Sequence, residues 1–276
     1  MPDLTGAVIH ASSVSALPYP GRIIKRNDGD GDIVLALQRR LNEVGCGPID
    51  EDRAFGDQTF GAVSVFQARF TDQDNQPLKI DGEVGPLTWA RLFGTQTVTQ
   101  TVTPAGELAT RVLDIARTQL GVLEVPLGSN RGPEVDEYVR ATGFPPSDGF
   151  AWCVCFIFFC YHKAAVELGR ANPMIETAGV LDLWTKAGQQ GVPRVTQVKA
   201  RNNPALIKPG QIFIIDTPPA GGGGHAGLVE QVIGGKLVTI EGNTNDDGSR
   251  EGIGVFRRTQ RKITSINKGF VDFTTA

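Results

Sequence analysis

Two short stretches of the chain are versions of one another, and this repeat restricts the first third of the molecule more than any other feature. Asp52-Arg-Ala-Phe55-Gly56-Asp-Gln-Thr59 aligns with Asp81-Gly-Glu-Val84-Gly85-Pro-Leu-Thr88 in the frame D-x-x-Φ-G-x-x-T, with Φ apolar. Each copy leads into a helical pattern. Ala62, Val63, Phe66 and Phe70 share a face after the first copy, and Trp89 and Leu92 share one after the second. Upstream, Val34, Leu37, Leu41 and Val44 recur at helical spacing. The pattern predicts three helices joined by two matched loops. Gly56 and Gly85 are expected in left-handed turns, with Thr59 and Thr88 capping the helices that follow. Asn27–Asp32 (NDGDGD) looks like a calcium loop. However, Ile33 stands where such a loop needs Gly and Arg39 where it needs Glu, so it is read as a turn capping the first helix.

Residues 95–106, TQTVTQTVTPAG, lack core periodicity and are read as a linker rather than an edge strand. The expected organisation is an N-terminal extension (1–27), a three-helix domain (28–94), the linker, and a second domain (107–276). The chain has 276 residues, 40% hydrophobic and 21% charged, so two packed cores are within reach. A net charge of -3 argues against nucleic acid as a partner. No apolar run reaches the roughly 20 residues of a membrane helix. The start, MPDLTGAVIHASS, lacks a basic segment followed by an apolar block, so no secretory signal is expected. Synthesis in the cytoplasm is then expected, followed either by work there or by export without such a signal.

The second domain carries FAWCVCFIFFC (150–160), which holds three of the four cysteines. Neither a disulfide framework nor a metal site fits. Cys153 and Cys155 are too close to bridge, Cys46 is distant, no CxxC pair exists, and the histidines are His10, His162 and His225 alone. No cofactor is expected. From Cys153 to Leu168 the pattern is helical, and a cysteine at a helix start meets free N–H groups and the positive end of the dipole. Cys155, Cys160 and Cys46 are read as packing. A partner for Cys153 is His225, which follows a glycine run and opens a strand. The turn Gly234-Gly235 and a second strand, Lys236–Asn243, complete a hairpin. A two-residue turn would face His225 away from Glu241 and Asn243. A bulged three-residue loop with Gly235 left-handed pairs Val232 with Lys236, and sets His225 opposite Asn243 and diagonal to Glu241 on one face. The bulged loop is expected. A thiolate, an imidazole and a polar orienting residue then make a nucleophilic site of papain-like order.

The first domain resembles the three-helix peptidoglycan-binding domain of cell-wall hydrolases, through Val34-x-x-Leu37-Gln38-x-x-Leu41, the FGDQT and VGPLT loops, Phe66-Gln67 and Thr88-Trp89. Arg53 stands where that family usually has Gly, so the first loop is expected to be distorted. The second domain resembles the cysteine- and histidine-dependent amidohydrolase/peptidase (CHAP) family, through Gly121-Val-Leu-Glu124, Gly128-Ser-Asn130-Arg131-Gly132, Trp152-Cys153-x-x-Phe156, Pro209-Gly210-Gln-Ile-Phe213, Gly224-His225-Ala-Gly227-Leu-Val229 and Ile240-Glu241-Gly-Asn243. Cys155 departs from the small or apolar residue usual there. The resemblance implies an α+β chain: a papain-like domain with helices packed on an antiparallel sheet, behind a small helical domain. It also implies peptidoglycan as partner and substrate, and an amide cut between N-acetylmuramic acid and L-alanine or within the stem or cross-link. The catalytic set implied is Cys153, His225, Glu241 and Asn243, with Glu241 preferred on the ring and Asn243 as support. A phage lysin or an injected antibacterial effector both suit the chain, the latter with a cognate inhibitor protein. The competing classes are a catalytically dead wall-binding protein and a cytosolic cysteine protease or amidase.

Overall fold

The computed structural model describes residues 17–217, 223–244 and 252–275. The opening 16 residues, where a secretory signal was sought, lie outside these. The chain divides into two units, Met1–Thr99 and Gln100–Ala276.

In the first unit Asp30 caps helix α1 (Gly31–Glu43), its carboxylate accepting from the Ile33 N–H. The Asp-rich stretch is thus a helix-opening turn, as its residues require. Helices α2 (Asp57–Arg69) and α3 (Pro86–Phe93) follow the two repeat loops. Val34, Leu37, Leu41, Ala62, Val63, Phe66, Trp89 and Leu92 are buried in one core, as the periodicity predicts. Residues ahead of α1 belong to it too: Tyr19 and Ile24 are in the core, and Ile24 pairs with Val84 through backbone bonds of 3.1 and 2.8 Å.

The repeat works differently from expectation. Gly56 and Gly85 are extended N-caps (φ -93° and -89°), and the left-handed residues are Arg53 and Gly82, both at φ 65°. Arg53 therefore takes the same conformation as its glycine counterpart, and the first loop keeps its shape; the side chain pairs with Asp32. Thr59 and Thr88 cap nothing. They lie inside the helices and face buried glutamines. Gln38 Nε2 is 2.7 Å from Asp52 Oδ1 and 3.1 Å from Thr59 Oγ1, while its Oε1 accepts from the Arg53 N–H. Gln67 repeats the arrangement with Asp81 at 3.0 Å, Thr88 at 3.4 Å and the Gly82 N–H. A buried amide that satisfies loop backbone groups explains the matched spacing of the two copies.

The segment read as a linker is tied down. Val98 packs in the first core. Thr101 exchanges two backbone bonds with Val232, of 3.0 and 2.8 Å, and its hydroxyl donates to the Ile207 carbonyl.

The second unit runs through helices α4 (Glu107–Thr118), α5 (Pro133–Ala141), α6 (Cys153–Glu167) and α7 (Val180–Gln189), strand β1 (Arg194–Thr196) and helix α8 (Gln197–Asn202). Strands β2 (Ile212–Asp216), β3 (Gly224–Ile233), β4 (Lys236–Thr244), β5 (Gly254–Lys262) and β6 (Gly269–Val271) follow. The strands form one antiparallel sheet in the order β1-β6-β2-β3-β4-β5. Alternation gives it two apolar faces. Ile212, Ile214, Ala226, Leu228 and Ile240 join the core that holds α4, α5 and α6, and Phe213, Val229, Val232 and Leu237 join a second cluster with Ala200 of α8. The chain is thus α+β: a small helical unit, then in sequence a unit of helices packed on an antiparallel sheet. Among the described residues no helix is long and apolar enough to cross a membrane.

The hairpin corrects one expectation and keeps its consequence. Gly234 and Gly235 form a two-residue turn with Ile233 opposite Lys236, both glycines at positive φ (56° and 83°), as a primed turn demands. The bulge is at Glu230, where the register shifts between Val229 and Gln231. Beyond it Leu228 faces Ile240, the same register that a bulge at Gly235 would have produced. The extra residue sits at position 230 because Glu230 is buried between two arginines. Arg117 Nε of α4 donates to it at 2.8 Å, and Arg257 of β5 donates through Nε at 2.7 Å and Nη2 at 3.0 Å.

Candidate active site

Cys153 is the first residue of α6. Trp152 precedes it as N-cap with no side-chain capping bond, and the first turn contains no acidic residue. The leading N–H groups of the helix therefore stay free of intrahelical or side-chain partners, beside a buried sulfur. The tip is fixed by its neighbours. Trp152 Nε1 donates to Glu124 Oε1 at 2.8 Å, and Glu124 Oε2 accepts the Asn130 N–H at 3.1 Å. A side chain at Gly242 would meet Phe156 at 2.7 Å and Trp152 at 2.8 Å, so glycine there lets β4 close on the start of α6.

His225 is the second residue of β3; its ring hydrogen-bonds with Glu241 and feels Cys153 closely enough for the thiol to help raise its pKa. Its Nε2 is 2.7 Å from Glu241 Oε2. An ionised carboxylate only accepts, so Nε2–H donates and Nδ1 is left for the thiol. Gly227 makes room for this contact, because a methyl there would lie 2.6 Å from Phe213 and 2.7 Å from Glu241. Burial works against a charged ring, but the bonds and charges of Cys153 and Glu241 hold His225 up at about 9. For Glu241, burial would raise the pKa; His225 and Arg261 overcome it and bring it down to about 2. Near neutrality the site thus holds an ionised carboxylate and a protonated ring beside the sulfur.

Asn243 does not join the ring. Its backbone is left-handed (φ 51°), which breaks the alternation of β4, and its amide donates to Asn130 Oδ1 at 3.3 Å. Asn130 Nδ2 in turn donates to the Gly149 carbonyl, just ahead of the helix tip. The expectation of all three residues on one face is therefore corrected: Glu241 meets His225, and Asn243 ties loops together. All four cysteines are free thiols and buried. Burial pushes Cys155 up to about 12, and Cys160 well above its usual range, so both are inert packing groups.

Arg261 on β5 carries no sequence signal of its role. It donates to both Glu241 oxygens, through Nε at 2.7 Å and Nη2 at 2.6 Å, and Thr239 Oγ1 donates at 2.5 Å. It lies in a run of basic and polar residues that reads as a solvated face. Among the described residues no cluster of His, Cys, Asp or Glu could hold a metal ion.

Two family models match the chain: a peptidoglycan binding domain over residues 30–92 and a CHAP domain over residues 145–243. The chain carries a CHAP domain with a peptidoglycan-binding domain before it in sequence. A protein of Kitasatospora aureofaciens, described as an uncharacterized protein in the bpoA1 3′ region, is 38% identical over 95 residues, 31% of this chain and 75% of that relative. No solved structure matches the chain. The CHAP match contains Cys153, His225, Glu241 and Asn243 and stops short of Arg261. A CHAP domain joined to a peptidoglycan-binding domain supports a peptidoglycan hydrolase.

Proposed function

We propose that this CHAP protein cleaves an amide bond of peptidoglycan with Cys153 as nucleophile, His225 as acid and base, and Glu241 as the residue that orients the ring. The observation that carries the reading is the buried His225–Glu241 pair, 2.7 Å apart, whose ring is influenced by Cys153 at the tip of α6. The ring, held up at about 9, stands ready to give a proton to the leaving group. The thiolate adds to the amide carbonyl, and the free N–H groups at the tip of α6 face the developing oxyanion. The imidazolium gives its proton to the leaving nitrogen as the C–N bond breaks, which leaves a thioester. His225 then takes a proton from water, whose oxygen attacks the thioester; the C–S bond breaks and a carboxylate leaves.

The N-terminal domain serves this chemistry by holding the enzyme on the polymer, which raises local substrate concentration. The substrate bond is the N-acetylmuramoyl–L-alanine amide or a peptide bond of the stem or cross-link. The chain acts at the wall, delivered as a lysin or as an injected effector; a genome neighbour that binds and blocks it would mark the effector. Purified sacculi test the reading. Wild type releases muropeptides, Cys153→Ala releases none, and mass spectrometry of the products names the bond. Sacculi left intact by wild type would point instead to a wall-binding protein.

A further inference from the structure

Glu241 is fully buried, and an ionised carboxylate offers about four lone-pair sites. His225 Nε2, Thr239 Oγ1 and the Nε and Nη2 of Arg261 occupy them at 2.5–2.7 Å. Arg261 is itself confined: its side chain is 13% exposed, and its guanidinium lies 4.9 Å from the centre of the Phe213 ring. Phe213 packs on His225 with ring centres 5.7 Å apart. Arg261 thus touches both groups that bear on the imidazole, the carboxylate that bonds it and the ring that packs on it. A forked donor fixes a carboxylate in orientation as well as in charge.

We propose that Arg261 is a positioning residue of this site: it holds Glu241 ionised and in one orientation, and through Glu241 keeps the His225 ring aimed at Cys153. The proposal rests on the assignment of those three residues above. Among the described residues, the charged and titratable groups around Glu241 are His225 from β3 and Arg261 from β5, with Cys153 from α6 beyond the ring; Thr239 and Phe213 also line the site. Loss of Arg261 lets the Glu241 carboxyl protonate at higher pH. The imidazolium then loses its charged partner at a higher pH than in wild type.

The test follows Cys153 itself. Iodoacetamide alkylation of the full chain is measured against pH for wild type, Arg261→Met and Arg261→Lys, in the wild-type and Glu241→Gln backgrounds, alongside muropeptide release from sacculi. Arg261→Met is expected to move the acid limb of alkylation upward by about one pH unit and to slow release about 10- to 100-fold. Arg261→Lys, which keeps the charge without the fork, is expected to fall between. In Glu241→Gln the same substitutions change the profile little. Arg261→Met and Arg261→Lys profiles that superimpose on wild type would overturn the proposal, as would equal shifts with and without Glu241. If Arg261→Met fails to fold, Arg261→Lys decides by the same criteria. Failure of wild type to release muropeptides would strike the hydrolase reading instead, and the alkylation profiles would still test Arg261.

Discussion

Glu230 and Glu241 are two buried carboxylates on one hairpin, and they are neutralised in different ways. Glu230, at the bulge of β3, is held by Arg117 and Arg257. Burial would raise its pKa, and the two guanidinium groups lower it. Among the described residues, Glu241 on β4 has one arginine, and its other charged donor is the ring of His225. The physics of burial is the same for both: a carboxylate out of water needs positive partners. What differs is whether one of those partners can exchange a proton. Between two arginines the charge pattern is locked and fixes the register of the hairpin. Between an arginine and a histidine that faces a thiol, the same pattern can act on a proton.

Paired substitutions exploit this difference. Glu241→Gln should lower kcat for muropeptide release by about 10³- to 10⁴-fold, the scale seen when an orienting carboxylate is neutralised, while the protein still folds. Glu230→Ala should do the opposite. The two arginines, more than a third exposed, would lose their charged partner at about 1–3 kcal/mol in urea unfolding, with kcat of the folded fraction near wild type. Loss of activity at constant stability in Glu230→Ala would dissolve the distinction.

The pH dependence of stability sharpens it further. Glu241 is lowered from 4.5 to about 2, so its contribution is complete above about 4.5 and is lost as pH falls toward 2. His225 is raised from 6.5 to about 9, so its contribution is complete below about 6.5 and is lost as pH rises through 9. The melting temperature of wild type should therefore fall off on both sides of a window from about 4.5 to 6.5. In Glu241→Gln the acid-side loss should shrink, and the alkaline-side loss should be smaller and complete at lower pH. Smaller effects should follow from Gly227→Ala, which presses on Phe213 and Glu241 together. A cost of about 1–3 kcal/mol with a disproportionate loss of kcat would show that the packing behind the ring matters to catalysis. Another buried carboxylate, Glu124, accepts from the N–H groups of Trp152 Nε1 and Asn130, so Trp152→Phe should cost about 1–3 kcal/mol by leaving an oxygen unpaired.

Much of this architecture was legible along the chain. The apolar faces of α1, α2 and α3, the start of α6 at Cys153 and the hairpin of β3 and β4 all rest on local periodicity and turn chemistry. Alternation also placed His225 on one face with Glu241, but it set Asn243 opposite the ring, and only the family resemblance favoured Glu241 as its partner. The misreadings share one cause. Gly56 and Gly85, Thr59 and Thr88, and the bulge at Gly235 were each assigned a purely local purpose. In the fold, the conformations follow from distant partners: Gln38 and Gln67 reach across to the loops, and Arg117 and Arg257 draw Glu230 inward.

Residue identity and spacing alone were enough to single out Cys153 and His225, because a thiol at a helix start and a ring at a strand start are local arrangements that a short motif can encode. Which carboxylate meets which cation was decided only when the sheet assembled. Arg261 comes to Glu241 from a neighbouring strand, and Asn243 turns away through a left-handed backbone. Contacts between strands depend on register and bulges, and these are set by the packing of the whole sheet rather than by any one segment.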